Sequence, residues 1–138
     1  TSQPEWSCWS HQALRDGTLD YCMEATVTPL GWSPLGGGKL AASAEQVSAL
    51  LSDGQLNEDQ ARRLSSTLVV LDRIALEREV SRAAVAIAWT MAHPAAVIPI
   101  IGTQNLERMA DCAQAADVVF TREEWNEVLI AAQGYPLP

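Results

Sequence analysis

Lysine is nearly missing from this chain: Lys39 is the only one, and nine basic residues stand against 17 acidic ones, for a formal charge of −8. A surface of that sign repels phosphate backbones and anionic lipid, so nucleic acid and membranes are not expected partners. A small anionic cofactor stays compatible with it, because a few local donors outweigh the global field at short range. Cysteine is sparse too. Cys8, Cys22 and Cys112 form no CxxC pair, which points to reduced thiols in a cytoplasmic protein rather than a disulfide framework. No basic segment followed by an apolar run opens the chain, so no secretory leader is expected. The most apolar stretch, Ala83 to Ile101, is broken by Thr90, His93, Pro94 and Pro99, which excludes a membrane span.

The common catalytic and cofactor fingerprints are missing as well. There is no GxGxxG, no Walker loop, no HExxH and no GxSxG. No histidine and cysteine cluster suggests a metal site. His93 beside Pro94 reads as a helix-end capping residue, and His11 as a surface one.

What the chain does contain is an alternation of apolar runs and amphipathic segments, in a length that suits one domain with a modest core. Residues Trp9 to Glu24 read as a weak helix interrupted at Asp16-Gly17. Ala25 to Trp32 reads as a strand ending in an aromatic, and Ser33 to Gly38 as loop. A short helix is expected near Ala44 to Leu51. A strong one follows, opened by the Asn57 and Gln60 capping pair, with Leu64, Leu68, Leu71 and Ala75 on one face. Ser81 caps the next, whose buried stripe is Val85, Ala88, Trp89 and Ala92. Val97 to Ile101 reads as a strand buried on both sides. Two more helices are expected, one presenting Leu106, Met109, Ala110 and Ala113 inward, the other capped by Thr121 and Glu124. Strands alternating with helices in this way indicate a parallel α/β protein.

Two segments carry chemistry. In Gly31-Trp32-Ser33-Pro34-Leu35-Gly36-Gly37-Gly38, a strand-end aromatic precedes a loop of small residues. Such a segment either offers a flat ring for stacking and free amides for a pyrophosphate, or is a buried Trp with a flexible turn. In Ile98 to Arg108, a strand runs through Gly102-Thr103-Gln104 into a helix N-terminus. Helix dipole, hydroxyl and guanidinium there suit a phosphate. The plainer alternative is a simple turn with Arg108 paired to Glu107 or Asp111.

Together and in this order, Ser2-Gln3, Trp32-Ser33-Pro34-Leu35-Gly36-Gly37-Gly38, Ala84-Val85-Ala86-Ile87-Ala88-Trp89 and Ile98–Arg108 resemble the aldo-keto reductase family. The ending Glu124-Trp125 with Gly134-Tyr135-Pro136 is similar to a bacterial oxidoreductase branch of it. The resemblance covers residues 1–138. It implies a partial (β/α)8 TIM barrel, the C-terminal strands and helices only. It also implies an NADP-dependent oxidoreductase that reduces aldehydes and ketones by hydride transfer from the reduced cofactor, NADPH being preferred over NADH. By the same resemblance Gln3 meets the nicotinamide carboxamide and Trp32 stacks on its ring. Ser33, Leu35 and Gly37 line the pyrophosphate, and Gly102, Thr103 and Arg108 surround the adenosine 2′-phosphate. Ser2 stands where the family usually has Asn, and Cys112 near where many members place an adenine-contacting amide.

A whole barrel takes about 250 residues, roughly twice this chain. The family's tyrosine, lysine, aspartate and histidine belong to its first half, so no catalytic residue is nominated here and the chain alone is expected to be inactive. The alternatives are a non-catalytic dinucleotide-binding module and a truncated relic that self-associates. An open half-barrel is expected to be a homo-oligomer, with Val97, Ile98, Ile100 and Ile101 exposed.

Overall fold

Helices dominate the chain, and the sheet is reduced to short parallel pieces. The computed structural model describes residues 1–138. Strands β1 (Leu30–Gly31) and β2 (Ile98–Pro99) pair in parallel, Leu30 opposite Ile98 and Gly31 opposite Pro99. On the other side of β1 the N-terminal segment adds parallel bridges, Ser2 to Pro29 and Glu5 to Trp32. Three parallel segments therefore lie side by side in chain order. Helix α1 (Thr18–Glu24) follows the first. Helices α2 (Ala44–Ser52), α3 (Glu58–Arg78) and α4 (Arg82–Met91) follow β1. Helices α5 (Leu106–Ala113) and α6 (Arg122–Gln133) follow β2. This is one arc of a (β/α)8 barrel, the fold expected from the sequence.

Pleating divides the arc into two faces. Trp6, Gly31 and Val97 turn toward the helices and are buried, while Gln3, Glu5, Trp32 and Ile98 are exposed on what would be the barrel interior. Gly31 is required by the close approach on the helix side. A Cβ there would lie 2.9 Å from Val97 Cγ1 and 3.2 Å from Trp6 Cβ.

The core is built from α3, α4 and α6 around Trp6, Leu64, Leu71, Ile74, Val85, Trp89 and Val128. Helix N-termini are sealed as the sequence foretells. Asn57 with Gln60 and Thr121 with Glu124 form capping boxes, and Ser81 Oγ accepts from Ala84 N at 3.0 Å; Ser43 with Gln46 adds a further box that was not foreseen. The C-terminus of α4 has neither a glycine nor a basic residue. Its end carbonyls, which no intrahelical N–H reaches, are taken by indoles: Trp6 Nε1 donates to Thr90 O and Trp125 Nε1 to Trp89 O, both at 3.0 Å. Trp89 Nε1 donates back to Trp125 O at 3.0 Å, and the two rings stack with centroids 4.5 Å apart.

Several expectations need correcting. The strand from Ala25 to Trp32 shrinks to Leu30–Gly31, because Ala25 caps α1 and Thr26 takes a left-handed φ of 53°. The weak helix from Trp9 breaks at Gly17 as expected, with a φ of 82°, but it starts only at Gln12 and its first piece is a 3-10 turn over Gln12–Leu14. Val97 to Ile101 is not buried on both sides. Val97 is buried, against the expectation of an exposed edge, while Ile98 is 53% exposed and Ile100 and Ile101 are exposed too. Period-2 alternation accounts for Val97, Ile98 and Ile100, with one face packed and the other uncovered, and Ile101 lies past the strand in the turn toward α5. In α5 the residues Leu106, Met109, Ala110 and Ala113 face solvent, and Cys112 is the buried one. That helix and the 3-10 turn after it, Gln114–Asp117, meet α4 through a small cluster of Ile87, Ala88, Cys112 and Ala115. Ala92 is exposed just past the end of α4. His11 is half-buried with Nδ1 2.8 Å from Cys8 O, whereas His93 caps as expected, its Nδ1 accepting from Ala95 N at 3.2 Å.

Candidate functional site

The glycine loop and the β2–α5 turn, nearly 70 residues apart in sequence, face each other across a cleft of about 770 Å3. One wall carries Trp32, Ser33, Leu35 and Gly37. The other carries Gly102, Thr103 and Arg108. Seven of the eight residues nominated from the sequence therefore converge. The eighth, Gln3, is exposed on the inner sheet face and does not line the cleft.

On the first wall, β1 delivers Trp32 to the mouth of the cleft with 46% of its surface exposed, so the buried-Trp alternative does not hold. The loop after it is a tight left-handed winding, with φ of 56° at Ser33, 59° at Gly36, 65° at Gly37 and 88° at Gly38. Consecutive positive φ values explain the glycines. The winding consumes amides that the sequence leaves as free donors. Gly36 N donates to Ser33 O at 2.8 Å, Gly37 N to Ser33 Oγ at 2.9 Å and Gly38 N to Leu35 O at 3.1 Å. The Ser33 and Leu35 amides keep no partner within the chain. Ser33 is thus a brace for the loop as much as a cleft residue.

The second wall is richer in donors. Asn105 caps α5, accepting from Arg108 N at 3.0 Å, and its own N–H donates to Thr103 Oγ1 at 3.1 Å. The backbone N–H groups of Gly102, Thr103, Gln104, Leu106 and Glu107 make no hydrogen bond within the chain. Arg108 forms no ion pair, so the expected alternative of a partner in Glu107 or Asp111 is not observed. It is the only charged residue in the lining. A lone guanidinium beside unpaired amides and a helix N-terminus is an anion site by its donor set. An added Cβ at Gly102 would meet nothing within 4 Å, so this glycine leaves the backbone open rather than relieving a clash.

Sequence reasoning missed Gln46 of α2, the further polar side chain in the lining. Its signal was available: Ser43 and Gln46 have the same capping-box spacing that identifies Asn57 and Thr121. Cys112 also borders the cleft from α5. Burial pushes its thiol up, and the neighbouring Asp111 carboxylate adds to this. Neither tyrosine approaches the cleft lining; Tyr21 lies on α1 and Tyr135 in the tail, both exposed.

Comparison with known proteins places these features in context. The profile described as "Aldo/keto reductase family" matches residues 1–132. A 6-dehydroglucose reductase of Novosphingobium aromaticivorans is 39% identical over 138 residues, 100% of this chain and 40% of that protein. A protein of the same name from Agrobacterium fabrum is 37% identical, over 97% of this chain and 39% of its own length. Oxidoreductase YdhF of Escherichia coli is 31% identical over 100% of this chain and 41% of its own. Among solved structures, the thermostable aldo-keto reductase Tm1743, crystallised with the inhibitor epalrestat, superposes with a TM-score of 0.67. The alignment has 19% identity and covers 94% of this chain and 38% of that one, a likeness in fold. The chain spans about two fifths of the length of these relatives.

Proposed function

The chain belongs to the aldo/keto reductase family, and on that premise we propose that it holds a nicotinamide dinucleotide in the cleft between the glycine loop and α5, NADPH in preference to NADH. Trp32 offers a ring face for the nicotinamide. Ser33, Leu35 and Gly37 border the pyrophosphate, and Gly102, Thr103 and Arg108 receive the 2′-phosphate. Gln3 reaches the carboxamide from the neighbouring strand segment. The observation that carries this reading is the convergence of seven of those residues on one cleft whose single charge is an unpaired guanidinium. When bound, such a cofactor supplies a hydride. What these residues contribute is its position and the exclusion of water from one side of it.

An enzyme of the relatives' full length would reduce an aldehyde or ketone. Two relatives carry the name 6-dehydroglucose reductase, which puts an oxidised sugar first among substrates to try. The tyrosine, lysine, aspartate and histidine of the family fall outside these 138 residues in our reading, so the chain by itself binds without turning over. General acid catalysis needs a donor within hydrogen-bond reach of the carbonyl oxygen, and neither Tyr21 nor Tyr135 is placed to be one. No helix of the chain is long and apolar enough to cross a membrane, and we place the protein in the cytoplasm with its thiols reduced.

Titration of the purified chain with NADPH and with NADH, followed by tryptophan fluorescence, tests the cofactor reading. A charge-assisted contact is worth about 1.5–3 kcal/mol, so Arg108→Ala weakens NADPH roughly ten- to a hundredfold and NADH little. Equal loss for both cofactors would make Arg108 a structural residue and remove the basis for the NADPH preference.

A further inference from the structure

We infer that Gln46 donates its side-chain amide to the pyrophosphate of the bound dinucleotide, so that α2 forms a third side of the cleft. The inference rests on the proposed function and adds a residue to its site. Gln46 is the third residue of α2, and its Oε1 accepts from Ser43 N at 2.8 Å while its own N–H donates to Ser43 Oγ at 3.2 Å. This capping box fixes which end of the amide is spent. With the oxygen committed to the backbone, Nε2 and its two hydrogens remain, and they make no bond within the chain.

The residue also stands in the right place. It lines the main cleft together with Gly37 and Gly38, and it lines a second hollow of about 400 Å3 with the same two glycines. It is therefore the partition beside the glycine loop, on the wall assigned to the pyrophosphate, across the cleft from Arg108. The loop's own amides at Gly36, Gly37 and Gly38 are occupied internally. Beyond the free Ser33 and Leu35 amides, an anion resting on that wall takes its donors from elsewhere, and the Gln46 amide is pre-oriented to give them: its rotamer is held by the cap, so little entropy is lost on binding.

Gln46→Glu separates this role from a merely structural one. Ser-x-x-Glu is as good a capping box as Ser-x-x-Gln, so α2 is retained while two donors become an anionic acceptor. Calorimetric titration of the 138-residue chain with NADPH and NADH is the measurement, with Ser43→Ala as the control that frays α2 without altering the amide. The expected result is a loss of about ten- to a hundredfold for Gln46→Glu, equal for both cofactors because both carry the pyrophosphate, against less than about threefold for Ser43→Ala. Binding that Arg108→Ala weakens but Gln46→Glu leaves within about twofold overturns this inference alone. A Ser43→Ala loss as large as that of Gln46→Glu overturns it too, by making the effect one of helix stability. No NADPH binding by the unaltered chain overturns the reading of the site, and this inference with it.

Discussion

On the helix side of the short sheet, Trp6 and Val97 are sealed beneath α4; on the other side Trp32, Ile98 and Ile100 stand open, 46%, 53% and 41% exposed. Both sets are large and apolar, and they alternate along the same few residues. Composition does not tell them apart. What does is whether an element of this chain covers them: α4 and α6 cover the first, nothing here covers the second. A tryptophan is therefore a core residue at position 6 and an exposed wall of the cleft at position 32.

The largest effect expected from this contrast is on stability. Trp89 is fully buried, stacked on Trp125 and packed 5.1 Å from Trp6. Trp89→Ala should cost about 3–5 kcal/mol and Trp32→Ala about 1 kcal/mol or less, measured by urea denaturation. Comparable losses would mean that the two faces are not distinct. The second effect is on association. An uncovered apolar sheet face is a template for another chain, so sedimentation equilibrium at micromolar concentration should find self-association, and Ile98→Lys with Ile100→Lys should shift the chain to monomer. A monomer before substitution would show that the face tolerates water.

How legible all this is in the sequence depends on who satisfies whom. Caps and the helical stripe of α3 are satisfied locally, so Asn57, Ser81, Thr121, Leu64 and Leu71 are placed correctly by spacing alone. The two walls of the cleft were also legible, because each is a short continuous segment. Exposure along Val97 to Ile101 was legible only in part: the open half-barrel argument placed Ile98, Ile100 and Ile101 correctly and Val97 wrongly, since a run of apolar residues does not say which face its neighbours cover. The outward turn of Leu106 and Met109 escaped for the same reason. The internal use of the glycine-loop amides was hidden too, because three glycines announce unusual φ values without saying which hydrogen bonds the winding will make.

The smallest effect expected is a pH dependence confined to the buried side. Burial holds His93 below its ordinary value, with Asp20 pulling weakly the other way, and burial does the same to His11, helped by Arg15 and Arg63. The unfolded chain therefore binds these protons more readily than the folded one. Their contribution to stability is fully present above the unfolded value, near 6.5, and is lost as pH falls through the lower folded values. Protonation of His93 also removes the Nδ1 acceptor used by Ala95 N. Melting temperatures should decline modestly between pH 7 and pH 5, before the carboxylates titrate, and His93→Gln should flatten part of that slope. An unchanged slope would place the sensitivity in His11.

The reciprocal bonds between Trp89 and Trp125 also bear on how this chain can change over generations. Each indole donates to the other's backbone carbonyl, so replacing either one takes a donor from the survivor's carbonyl and leaves a half-empty stack, while the surviving indole keeps its acceptor. Losses at such a pair do not add, and the second substitution costs far less than the first. A lineage drifting by single substitutions meets a barrier at both positions, although a well-packed replacement of both together need not be poor. The two tryptophans should accordingly be inherited or lost together, one on α4 and the other on α6, although neither comes near the cleft.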